Sequence, residues 1–186
     1  MTEKSKERRV DFALAATLAQ EWWRRLQPDS ARGNPQERGG DRAALARLRR
    51  AASLAEIMAE EATIDLWRSI GSDDTQQLQR VAVIAHVLAH VRKHDDEPTV
   101  MRRVGRRSYG DADSAKLALK PIRFRRLLAA REDEELMREM RRLVQMADRR
   151  LDVGHLAASL LFWSDTTRAR WAFDYFAATH AQPQAA

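Results

Sequence analysis

The sequence predicts an all-α protein, and three observations carry that prediction. Glycine (7) and proline (5) are few, while alanine, leucine and arginine dominate, which favours helix over turn-rich β folds. Apolar residues recur three and four positions apart over most of the chain. No segment shows the strict alternation of a half-buried strand. With 186 residues there is room for one large or two small domains. The expected architecture is two small helical bundles packed together, with about eight or nine helices in all. The expected boundary follows the HDDEP segment, giving an N-terminal lobe at 1–97 and a C-terminal lobe at 98–186.

The first helix is expected over residues 7–27, where Phe12, Ala15, Ala16, Ala19, Trp22, Trp23 and Leu26 share a face and Pro28 stops the pattern. Trp22 and Trp23 point about 100° apart on a helix, so unequal burial is expected, with one of them at an edge or a subunit contact. Residues 28–40, PDSARGNPQERGG, read as a loop. Asp41 is a candidate N-cap for DRAALARLRRAA, with Ala44, Leu45, Leu48 and Ala51 inward. Ser53 and Glu56 have the spacing of a capping box and open one acidic helix ending near Gly71. Asp73 or Asp74 starts the next helix, with Leu78, Val81, Ala85, Leu88 and Val91 inward.

A short helix and loop, TVMRRVGRRSYGDADSAK, open the second half. In KPIRFRRLL at 120–128, Pro121 suits a first helical turn, where its missing N–H costs nothing. There Ile122, Phe124, Leu127 and Leu128 make an apolar seam from which Arg123, Arg125 and Arg126 fan out. EDEELMREMRRLVQMADRR places acids at its start and bases at its end, as the helix dipole prefers. Asp152 is a candidate cap for VGHLAASLLFW, and Ser164 or Asp165 for TTRARWAFDYFAATH.

Several function classes drop out. The chain has no cysteine, which removes disulfides, thiolate zinc sites and thiol nucleophiles. No apolar run approaches the ~18 residues that span a bilayer, and the charged N-terminus has no apolar signal region behind it, so a soluble cytoplasmic protein is expected. Gly105 and Gly110 lack phosphate-loop spacing. His86, His90 and His94 stand at i, i+4 and i+8, a pattern two of which can share a zinc; Val87 occupies the place of the glutamate a zincin needs, and the third ring drifts about 80° from the first. Partly buried or surface histidines are the better reading. No cofactor, metal or catalytic residue is expected, and the protein is read as a non-enzyme. The aromatics Phe162, Trp163, Trp171, Phe173, Tyr175 and Phe176 could stack on bases, but their helical spacing favours core packing.

Charge is the informative feature. The net charge is +6, and between residues 101 and 131 ten basic side chains face only Asp111 and Asp113. Arginine, which provides most of it, suits bidentate phosphate contact. The candidates for nucleic-acid contact are Arg42, Arg49 and Arg50 in the first half. In the second they are Arg102, Arg103, Arg106, Arg107, Arg123, Arg125, Arg126, Arg141 and Arg142. An acidic helix separates the clusters, which argues for a directed stripe. No helix-turn-helix, zinc finger or aromatic sheet motif offers base readout. Binding of a backbone or single strand without sequence preference is therefore expected.

The order of motifs resembles the CasB family, the small subunit of the type I-E CRISPR surveillance complex, Cascade. The resemblance rests on the Trp22–Trp23 pair, GDRAALARLRRA, the basic segment around Gly105, RFRRLL, MRRLV and the closing FW…RWAFDYF. It implies a non-catalytic, two-bundle helical scaffold present as two copies in the complex. Its implied partners are the other Cascade subunits, the guide RNA and the target and displaced DNA strands, and its implied role is to hold the guide–target assembly and the displaced strand of the R-loop. Carried over by motif, Arg49 and Arg50, Arg106, Arg123 and Arg126, and Arg141 and Arg142 become backbone-contacting positions. The segment between GDRA and RRA is longer than the family pattern, which leaves Arg42, Arg47 and the Arg49–Arg50 pair as alternatives for one role. A helical protein-interaction module without a nucleic-acid role is the competing reading.

Overall fold

The computed structural model describes residues 10–28, 40–70, 75–96, 99–105 and 119–180. Arg106, Arg107, the Asp73/Asp74 cap and most of the 28–40 loop lie outside them. Among the described residues there are ten helices and two strands of two residues each, so the fold is predominantly α-helical.

The first helix, α1 (Phe12–Leu26), starts later than expected because Asp11 caps it, accepting from the Leu14 N–H at 2.8 Å. α2 (Arg42–Arg50) is capped by Asp41 through the Ala44 N–H. Gly40 precedes it, and a Cβ there would sit 1.9 Å from the Gln27 carbonyl oxygen, so the chain passes the end of α1 only as glycine. The single acidic helix expected after Ser53 is in fact two, α3 (Leu54–Met58) and α4 (Glu61–Ile70). Ser53 Oγ accepts from the Glu56 N–H, and the Glu56 carboxylate reaches back to the Ala52 N–H, one residue before the N–H that a capping box would use. The chain then turns at Ala59–Glu60, letting Ile57 and Leu66 both become fully buried. That break accounts for the helix beyond the expected eight or nine.

α5 (Thr75–Ala89) is the hub. Every residue from 81 to 89 is buried, since α2, α3, α4, α8 (Asp133–Met146) and α9 (Val153–Leu161) all pack around it. A helix buried on all sides shows little amphipathic pattern. α1 lies along α9, close enough that a Cβ on Gly154 would meet the Ala16 carbonyl oxygen at 3.0 Å. α6 (Val100–Gly105) packs on α10 (Asp165–His180), and α7 (Pro121–Ala129) on α8. The strands β1 (Lys93–His94) and β2 (Arg150–Leu151) pair in parallel, an addition to the expected helices. One continuous hydrophobic core runs from Ala19 to Tyr175, through helices on both sides of residue 97.

Both tryptophans near the N-terminus are buried, against the expectation that one would lie at an edge. Trp22 donates its indole N–H to the Ala62 carbonyl at 2.7 Å and Trp23 to Val91 at 3.3 Å, so each polar atom is satisfied. The aromatics of the C-terminus divide instead. Trp171 and Tyr175 are core, whereas Phe162, Phe173 and Phe176 are exposed, Phe173 at 73%. Core packing was expected for all of them; a helix at the edge of the fold has only one face to bury. Asp152 and Ser164 cap α9 and α10 as expected.

Candidate nucleic-acid interface

α7 forms where Pro121 begins it, with Phe124 and Leu127 buried as anchors. Phe124 stacks on Tyr175 at 4.0 Å between ring centroids, and the Tyr175 hydroxyl donates to the Leu119 carbonyl at 2.8 Å. Ile122 is not part of the seam: it is 67% exposed. It precedes Phe124 by two positions, about 200° round the helix, and so falls on the opposite face. Arg123, Arg125 and Arg126 are exposed.

Between α7 and α8 runs a groove of about 510 Å³. Leu119, Leu127, Leu143 and Met146 give it an apolar floor, and Arg123, Arg126 and Arg142 a basic rim. Arg123 Nη1 donates to Met146 Sδ at 3.4 Å. Glu139, the acid of the groove, is paired with Arg142 at 2.6 Å. Arg125 is not among the residues lining it.

A second basic region lies on the α5 side of α8. Arg49, in the last turn of α2, donates Nε to the Ala89 carbonyl, an orphan acceptor at the end of α5. Burial and the neighbouring charges of Arg92 and Arg149 lower its pKa. Arg92 and Arg149 meet through the backbone, because the Arg149 carbonyl accepts from the Arg92 N–H at 2.8 Å and the Lys93 N–H at 3.2 Å. His86 and His90 pack edge to face at 5.0 Å, within reach of the charges of Arg49, Arg141 and Arg149. His86 Nδ1 donates to the Leu48 carbonyl at 2.8 Å. Burial, then the charges of His86, Arg141, Arg49 and Arg149, push the His90 pKa down to about 4. His94 belongs elsewhere, its Nδ1 accepting from the Val153 N–H at 3.2 Å.

Where they are described, the arginines predicted from sequence stand in different surroundings. Arg123, Arg126 and Arg142 share the groove, whereas Arg49 and Arg141 act on the histidine pair. Arg42, Arg50 and Arg102 are exposed on other turns. Arg103 is drawn to Asp95 at 3.5 Å, where Arg150 also pairs at 3.0 Å. Arg47 pairs with Glu60 at 2.7 Å, which leaves Arg49 as the α2 arginine beside the other cations. Arg92 and Arg149 were missed by sequence reasoning. They stand 57 positions apart in otherwise unremarkable segments, and no local pattern signals their meeting.

Among the described residues no helix is long and apolar enough to cross a membrane. No curated protein sequence matches the chain. A chain of the crystal structure of E. coli Cascade bound to a PAM-containing double-stranded DNA target has the same fold. The TM-score is 0.61 at 21% identity, covering 87% of this chain and 97% of that one. The family described as CRISPR-associated protein Cse2 matches residues 44–176, a span that takes in most of α2 with Arg49, the groove and the histidine-backed cluster, and to that family this chain belongs.

Proposed function

We propose that this chain is a non-catalytic subunit of a Cascade complex that holds nucleic-acid backbone without reading its sequence. Its partners on this reading are the other Cascade subunits, the guide RNA and the target DNA, and the strand it steadies is the one displaced in the R-loop. The observation that carries the reading is the α7–α8 groove, in which Arg123, Arg126 and Arg142 rim an apolar floor. Guanidinium groups supply phosphate contacts, and the floor tolerates any base face. Such contacts give affinity that falls with salt but no sequence information. Membership of the Cse2 family and the likeness to a Cascade chain support the assignment to that assembly.

The test is single-stranded DNA binding by the full chain across a salt series. Replacing Arg123 and Arg126 with Ala should flatten the slope of log K against log salt by about 1.4, at about 0.7 per lost contact. An unchanged slope and affinity would remove the groove as the interface and favour the protein-interaction reading.

A further inference from the structure

We propose that the outer face of α10 is a docking surface for an acidic amphipathic helix of a different protein chain. That this chain is another subunit of the Cascade complex rests on the function proposed above; the face and the chemistry of its occupant do not.

α10 is apolar on two opposite sides. Trp171 and Tyr175 turn inward, each 1% exposed. Ala169, Phe173, Phe176 and Ala177 are exposed, and their spacing of i, i+4, i+7 and i+8 sets them along one stripe about 12 Å long. A helix with one core to meet needs one apolar face, and a helix apolar all round is ordinarily buried all round. α5 shows that case within this chain, where α2, α3, α4, α8 and α9 cover it. On α10 the second side stays open, with Phe173 at 73% and Phe176 at 48% exposed. Two phenylalanines on one stripe are more than the scattered apolar side chains that any surface carries.

The stripe suits another helix. Phe176 is held in position, its ring edge to face with Phe124 at 6.1 Å and with Tyr175 at 5.4 Å. An anchor fixed before binding loses little rotamer freedom on docking. Ala169 and Ala177 flank the two rings, and small side chains let a second helix axis come close. A nucleic-acid strand fits less well, since bases stack on aromatic faces and two of the four stripe residues are alanine.

Charge selects the occupant. Arg170 is exposed beside the stripe. α7, which Phe176 meets through Phe124, and α6, which packs on α10, carry arginines and no carboxylate within their bounds. Of the acids on α10, Asp165 is paired with Arg131 and Arg168 and Asp174 is half-buried. An apolar stripe bordered by arginines complements a helix whose apolar side is bordered by Asp and Glu.

The probe is a synthetic helical peptide with leucines at i, i+3, i+4 and i+7 and glutamates elsewhere, with a twin carrying lysines in place of the glutamates. Each labelled peptide is titrated with the full chain. The glutamate peptide should bind, and the lysine twin should bind at least about tenfold more weakly. Phe173→Ser lies at a position exposed enough to leave the melting temperature in place, and it should weaken the glutamate peptide about tenfold or more. Arg170→Glu should weaken it too and narrow the preference between the twins. No binding, equal binding of the twins, or wild-type binding by Phe173→Ser overturns the inference.

The other occupants are read out in parallel. Affinity for (dT)12 should be the same in Phe173→Ser and wild type; a loss marks a nucleic-acid surface and overturns the docked helix. A wild-type dimer in sedimentation that Phe173→Ser converts to a monomer makes the occupant a second copy, and overturns it likewise. Finally, the complex is reconstituted with the other Cascade subunits. It should take up wild type and exclude Phe173→Ser. Equal uptake overturns the inference while the function proposed above stands. If the peptides discriminate as expected and wild type is not taken up, the face stands and the Cascade reading falls.

Discussion

Arg141 and Arg142 are neighbours in sequence, yet α8 delivers them to two different surroundings. Arg142 joins Arg123 and Arg126 on the rim of an open groove, where Glu139 offsets part of the charge. Arg141 joins Arg49 and Arg149 around the buried His86 and the half-buried His90, with guanidinium groups for company. One residue step turns a helix by about 100°, and that is enough to separate them. The comparison teaches that a basic surface is not one object. On the groove side the arginines are solvated additions to a wall built by Phe124 and Leu127. On the histidine side Arg49 also finishes the fold, since it satisfies a carbonyl at the end of α5.

The sharpest way to break the groove side is through its anchor. Phe124→Ala should cost about 3–5 kcal/mol, because it empties a fully buried position and removes the stack on Tyr175. Urea unfolding measures this. A loss under about 1 kcal/mol would mean that α7 is not held as described.

Next in size is a pH effect confined to the histidine side. The folded-state pKa of His90 lies at about 4 and that of His86 is lowered too, against about 6.5 unfolded. The unfolded chain therefore binds more protons between these values, and stability rises with pH across that window. It should be complete above pH 6.5 and fall by about 1–2 kcal/mol towards pH 4, after allowance for solvent screening of the half-buried ring. His90→Gln should flatten the profile, while Arg126→Ala should leave its shape intact. Thermal melts at stepped pH separate the two.

The smallest effects compare neighbours on α7. Arg125→Ala and Arg126→Ala should each change stability by less than about 0.5 kcal/mol. Only Arg126 lines the groove, so only its loss should lower the salt slope of DNA binding, by about 0.7. Equal slopes for the two variants would erase the distinction between groove rim and general surface.

Much of this was legible in one dimension. Helix periodicity identified the helical elements, and local capping chemistry at Asp41, Ser53, Asp152 and Ser164 was readable because a cap and its N–H lie three residues apart. Phe124 and Leu127 as anchors followed from spacing on one helix. The split of α3 from α4 was not legible, because it is imposed by what Ile57 and Leu66 must reach. Nor was the exposure of Ile122, Phe173 and Phe176, since hydrophobicity does not say whether a neighbour arrives to cover a face.

By itself the sequence determined the helical class, most caps, the concentration of arginine and, through its motifs, the family. These depend on composition or on contacts within one or two turns. Tertiary structure alone decided which arginines meet, which are neutralised by acids such as Glu60 and Asp95, and which crowd together over His90. Charge interactions act across a few ångströms of space regardless of separation along the chain. Arg92 and Arg149 become neighbours only once the ends of α5 and α8 are brought side by side.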